Sequence, residues 1–209
     1  MMTSLFKPLQ RAIIPIAIST ALGDMPQLVL AIEQGLDQQL PISTAKEVMV
    51  YLHAYVGFPR SVNALNTLLT VVKRRRDQGI QDCEGDSEPT ETINPDSLRI
   101  GTANQTALVG QPVTGELFEF CPAIDQCLKA HLFGDLFQRP QLSWPDRELT
   151  TLCALAVMSG VSSQLKSHFQ ISLHSGFTVP QLQEFIATLA KIHDRSCAES
   201  AEKILQEIL

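Results

Sequence analysis

The stretch SGVSSQLKSHFQISLHSG, residues 159–176, decides how the rest of the chain is read. Leu165, Phe169 and Leu173 recur every four residues and line one stripe of an amphipathic helix. Ser162 or Ser163 offers a cap at its start, and Gly176 suits a left-handed close at its end. His168 follows Leu165 by three residues, which puts it at the edge of the apolar stripe. A histidine there is a catalyst, a ligand, or a polar residue satisfied by a partner, and the last is the commonest.

Working outward, GVSSQL can be laid over GDMPQL, so that Gly160 falls on Gly23, 137 positions earlier. In that register Gln27 meets Gln164, Leu28 meets Leu165 and Leu36 meets Leu173. Glu47 then meets Glu184 and Leu52 meets Leu189, without a gap. An ungapped register over several helices reads as a tandem duplication of one helical unit. The first unit is expected over 1–76 and the second over 116–209, joined by a linker over 77–115. The halves are unequal. Ala31 stands opposite His168, Arg11 stands opposite Glu148, and YVGFPR (55–60) faces IHDRSC. The first unit therefore reads as carrying a degenerate site and the second as carrying the working one.

Helical spacing dominates elsewhere, and the expected class is all-α. Thr44 with Glu47 matches a capping box, and Gly57 with Pro59 marks a junction between two helices. Lys73 to Arg76 closes the second of these, where positive charge suits the helix dipole. QGIQDCEGDSEPTETINPDS is acidic and rich in turn formers, hence the linker. Beyond it, Ser143 with Pro145 and Thr178 with Gln181 and Pro180 open two further helices.

Composition narrows the function. With 209 residues, 44% hydrophobic and 18% charged, the chain can bury a core and is not a disordered protein. A net charge of −6 argues against general nucleic-acid binding. The apolar run from Ala12 to Leu22 is too short to span a bilayer and holds Pro15, so no membrane association is expected. A secretory signal is the alternative reading of that run, but no small-x-small cleavage pattern follows it. Five scattered cysteines without a C-x-x-C pair fit a reducing compartment, and the expected location is cytoplasmic. His53, His131, His168, His174 and His193 form no H-E-x-x-H motif or close Cys/His cluster, so no metal is expected. There is also no phosphate-binding glycine loop and no G-x-S-x-G elbow.

DRELTTLCALAVMSGVSSQLKSHFQISLHSGFT (146–178) resembles the carboxymuconolactone decarboxylase family, which includes the alkylhydroperoxidase D proteins. The resemblance lies in an Arg-Glu pair opening one helix, a small-residue turn, and a histidine about twenty residues later. YLHAYVGFPRSVNAL looks like that family's Tyr-x-Gly-x-Pro segment, and LFEFCPAIDQCLKAHLFGDLF is similar to the lead-in of its tandem members. It implies an alkylhydroperoxidase D-like all-α bundle and a ring-like homo-oligomer, a trimer for a fused pair. It also implies cofactor-free decarboxylation of a small anionic substrate, a carboxylated lactone. The thiol pair of the alkylhydroperoxidase branch would fall at Val161 and Gln164, so disulfide-linked peroxide reduction is not expected there. A redox protein using Cys153 and a non-catalytic member of the fold are the alternatives.

Arg147, Glu148 and His168 suit proton-transfer chemistry, with His168 as the acid–base group and Glu148 orienting it. Arg147 and Arg60 are candidates to grip a substrate carboxylate bidentately. Tyr55 and Gln164 are further candidates for substrate contact, and either Tyr55 or Arg60 is expected to reach His168 from the first half. Each has a structural alternative. Arg147 and Glu148 can serve a helix's first turn, Tyr55 can be core, and Arg60 can be a surface residue.

Overall fold

The computed structural model describes residues 4–87 and 96–209, and every regular element among them is a helix. In order these are α1 (Pro8–Leu22), α2 (Met25–Asp37), α3 (Ile42–Asp77), α4 (Ser97–Val109), α5 (Glu116–Phe120) and α6 (Pro122–Cys127). A π-helical stretch, π1 (Leu128–Leu136), follows, then α7 (Trp144–Leu155), α8 (Ser162–His174), α9 (Val179–Ile192) and α10 (Arg195–Gln206). Among the described residues no helix is long and apolar enough to cross a membrane.

The apolar run at Ala12–Leu22 is the centre of the core. Ten of the fifteen residues of α1 are buried, on all its sides, because α2, α3 and α7 pack around it. One hydrophobic core then runs from Phe6 to Leu205, drawing on α1–α3 and α7–α10 together. A smaller cluster of Tyr51, Leu108, Leu132, Phe133, Leu136, Phe137 and Ile171 sits where α3, α4, π1 and α8 meet.

Two expected caps are present. Ser143 Oγ accepts from Asp146 N at 3.3 Å, starting α7. Thr178 Oγ1 accepts from Gln181 N at 3.4 Å while Thr178 N donates to Gln181 Oε1 at 2.9 Å, starting α9. The other two differ. Helix α8 begins at Ser162 with no side-chain cap. Helix α3 begins at Ile42, which places Thr44 inside the first turn. Its free N–H groups are met by returning chain instead: Ile42 N donates to Cys83 O at 2.8 Å and Ser43 N to Glu84 O at 3.0 Å. Glu47 is thereby released from capping and turns into the interior. Further along α3, Gly57 takes φ 78° and ψ 161°, so two helices are joined end to end at the Gly57–Pro59 interruption. Where α3 ends, the basic run is neutralised rather than free. Arg74 pairs with Glu33 (2.5 Å), Arg75 with Asp37 (2.9 Å) and Asp82 (2.8 Å), and Arg76 with Glu84 (2.5 Å).

The expected linker over 77–115 needs correction. Residues 88–95 lie outside the described residues, but Ser97–Val109 form a full helix, α4, packed against π1. Two glycines permit this close approach. A Cβ on Gly101 would overlap the Lys129 carbonyl, and one on Gly134 would overlap the Ser97 carbonyl. The backbones of α4 and π1 therefore touch directly, which a loosely tethered linker does not do.

Helix boundaries in the two halves keep the spacing noted above. Helices α2 and α8 each have 13 residues and start at Met25 and Ser162, 137 positions apart. Helices α3 and α9 start at Ile42 and Val179, again 137 apart. Gly23 (φ 73°) and Gly160 (φ 79°) are both left-handed, as are Gln39 (φ 65°) and Gly176 (φ 99°) at the same spacing. The kink at Gly57 corresponds to Asp194, the second of the two residues between α9 and α10.

Candidate functional site

Three helices bring candidate residues to one place: α7 supplies Glu148 and Thr151, α8 supplies His168, and α3 supplies Tyr51 and Tyr55. Glu148 lies one turn into α7, inside an unbroken run of buried residues from Arg147 to Leu155, so α7 is enclosed on every side there and the Glu148 side chain is held in the interior. Its carboxylate is fully buried, and its Oε2 bonds to His168 Nδ1 at 2.7 Å. Glu148 Oε1 has no hydrogen-bond partner among the described residues. The His168 side chain keeps 13% of its surface open, consistent with its place at the edge of the α8 stripe. A carboxylate can only accept from a neutral or charged imidazole, so Nδ1 carries the proton and Nε2 is the reactive nitrogen. This is the geometry of an oriented acid–base histidine.

Tyr55 reaches the dyad from the first half. Its ring lies edge-on to His168, with centroids 6.1 Å apart. Its hydroxyl belongs to a directed chain. Thr151 Oγ1 donates to Arg147 O (3.0 Å), so it accepts from Tyr51 Oη (2.9 Å), and Tyr51 Oη in turn accepts from Tyr55 Oη (3.2 Å). Burial holds both phenols in their neutral form: it raises the pKa of each above the usual tyrosine value, and the nearby Glu148 charge adds to the effect. The hydroxyl chain therefore stays protonated through the physiological range.

The remaining candidates lie elsewhere. Arg147 is fully buried and faces away from solvent, so the expectation of a carboxylate grip meets a different geometry. Its Nη2 donates to Glu47 Oε1 at 2.9 Å and to Arg139 O at 2.6 Å, and its guanidinium lies over the rings of Tyr51 (5.1 Å) and Phe137 (5.8 Å). Glu47 also accepts from Arg139 Nε at 2.7 Å, so one buried carboxylate ties α3 to α7 and to the turn before it. Arg60 is exposed and donates to the Ala21 carbonyl at 2.8 Å, finishing the C-terminal end of α1. Cys197 stands at the corresponding place in the second half, and there the last turn of α7 opens onto a cavity of about 280 Å³ lined by Leu155–Gly160 and Cys197. Gln164 is exposed and bonds Ser163 Oγ at 3.0 Å rather than His168.

Sequence reasoning missed Tyr51, Thr151, Glu47 and Arg139. Tyr51 was findable, since it lies four residues before Tyr55 and shares its helix face. Thr151 and Arg139 carried no pattern of their own, and Glu47 was hidden by its fit to a capping box.

Cys153 is fully buried, and burial pushes its thiol well above the ordinary cysteine range. An inert, inaccessible thiol does not serve peroxide chemistry. No protein-family model and no curated protein matches the chain.

Proposed function

We propose that this chain is a tandem, two-unit lyase of the carboxymuconolactone decarboxylase type, with one acid–base site per chain. The observation that carries the reading is the bond between buried Glu148 and His168 Nδ1, which leaves Nε2 at the partly open edge of α8. The common spacing of helix starts and of left-handed residues supports a duplicated unit of the alkylhydroperoxidase D-like bundle. The buried Cys153 argues against the redox alternative.

In the proposed reaction the bond between the ring carbon and the departing carboxylate breaks. Carbon dioxide leaves, and the electron pair passes into the substrate's own conjugated lactone carbonyl. His168, protonated on Nε2, then gives its proton to the ring carbon and returns to the neutral tautomer that Glu148 holds. Glu148 Oε2 lies 2.7 Å from Nδ1, where a carboxylate offsets the positive charge that the ring carries whenever Nε2 holds the proton to be given. No cofactor is needed, because the substrate supplies the electron sink. Tyr55, beside the imidazole, is the residue of the first unit that contacts substrate. A ring of three copies in the cytoplasm, closing the open edge of the site, completes the proposal.

The test is decarboxylation of 4-carboxymuconolactone followed by loss of its absorbance. Wild-type turnover that falls about 10²- to 10⁴-fold in His168→Ala supports the acid–base role. Absence of wild-type turnover, or turnover untouched by His168→Ala, removes it.

A further inference from the structure

A second pair of histidines lies away from the dyad, on α3 and π1. His53 and His131 are 78 residues apart in sequence, yet their Nε2 atoms face each other at 2.7 Å. Both rings are fixed through the other nitrogen. His53 Nδ1 donates to the Val50 carbonyl, and the ring stacks on Phe58 with centroids 4.6 Å apart. His131 Nδ1 donates to Asp135 Oδ2 at 3.3 Å, and Asp135 is braced by the Ser97 hydroxyl from α4.

A carbonyl and a carboxylate only accept, so each imidazole spends its N–H on Nδ1. In the neutral rings both Nε2 atoms then present lone pairs to one another. Such an arrangement calls for an electrophile between them, a proton or a metal ion. Imidazoles whose second nitrogen is held by a backbone carbonyl and a carboxylate are the usual supports of metal-binding nitrogens.

We propose that His53 and His131 form a two-histidine site for a divalent metal of the imidazole-preferring class, such as Zn²⁺ or Cu²⁺. Metal–nitrogen bonds of about 2.0 Å at the tetrahedral angle set the two nitrogens roughly 3.3 Å apart, so the rings open by roughly 0.6 Å to admit the ion. Among the described residues no third histidine, cysteine or carboxylate joins them, so water completes the shell. The site was invisible in sequence because its ligands come from two helices and match no spacing motif.

Isothermal titration calorimetry with Zn²⁺ alone, on the untagged full chain, tests the assignment without any activity readout. The expected result is one saturable site per chain. His131→Ala and His53→Ala should each weaken it at least ~10-fold, and Asp135→Asn should weaken it about 10-fold through the lost support. His131 is 48% exposed, so its removal leaves the fold intact, which circular dichroism verifies. The exposed His174 and His193 serve as controls, and alanine at either should change nothing. Absence of saturable binding overturns the proposal, as does binding that survives His131→Ala. Two imidazoles that exchange a proton but take up no Zn²⁺ overturn it equally.

Discussion

Glu47→Ala should be among the most damaging single changes in this protein, although Glu47 makes no contact with His168 or Glu148. The carboxylate is 1% exposed and accepts from Arg147, which is fully buried, and from Arg139, whose side chain is 12% exposed. Its removal strands the Arg147 guanidinium in the interior with one carbonyl and two aromatic rings as its company. Breaking such a pair by deleting one partner costs about 3–5 kcal/mol, against a total stability of about 5–15 kcal/mol for a folded domain. For a chain of this length each kcal/mol moves the melting temperature by about 2–4 °C, so a fall of about 6–20 °C is expected. The assay is thermal and urea unfolding followed by circular dichroism at 222 nm. A second variant separates charge from packing. Glu47→Leu combined with Arg147→Met removes both charges and should recover most of the loss, since the desolvation of the pair is then no longer borne. A loss below about 1 kcal/mol in Glu47→Ala would refute the reasoning, as would a double variant no more stable than the single.

Two other outcomes follow from the packing and from the tyrosines. Gly101→Ala should cost about 1–3 kcal/mol or more and expose α4 to limited proteolysis, because the new methyl meets the rigid Lys129 carbonyl of π1; an unchanged digestion pattern would count against backbone contact between α4 and π1. The chain has only two tyrosines, Tyr51 and Tyr55, and both have raised pKa values in the folded state. Above pH 10 the unfolded chain loses phenolic protons that the folded chain keeps, so stability contributed by these groups is full below pH 10 and falls as pH rises beyond it. Ultraviolet titration at 295 nm should show no phenolate near pH 10 until unfolding begins, and a normal phenol titration of the folded protein would contradict the described hydroxyl chain.

The all-helical class was legible because apolar residues at four-residue spacing and the caps at Ser143 and Thr178 speak locally. What local pattern could not give was the partner across space. Glu47 fits a capping box after Thr44, yet carbonyls at Cys83 and Glu84 satisfy the helix start and the carboxylate goes to Arg147. Residues 97–109 read as linker because their composition is polar and Gly101 weakens any helical signal, while the value of that glycine lies in contact with π1. At the candidate site, the edge position of His168 was readable from Leu165 and Phe169, and its approach to Glu148 and Tyr55 follows from helix packing. The roles of Arg60 and Arg147 were not readable. A guanidinium that closes a helix end or balances an interior carboxylate looks, in sequence, like one that waits for an anion.

The complete enclosure of α1 also constrains how the chain matures during synthesis. One wall around that helix is α7, which begins 122 positions after α1 ends. At ordinary translation speeds the interval is on the order of 10 s. Throughout it the isoleucines of α1 have α2 and α3 for cover but lack their last neighbour. The nascent first half is thus a sticky intermediate rather than a finished body, and its consolidation must wait for sequence still inside the ribosome. Cells making this protein must shield that surface for seconds, and a message cut before Trp144 would yield a product that clumps rather than a folded half.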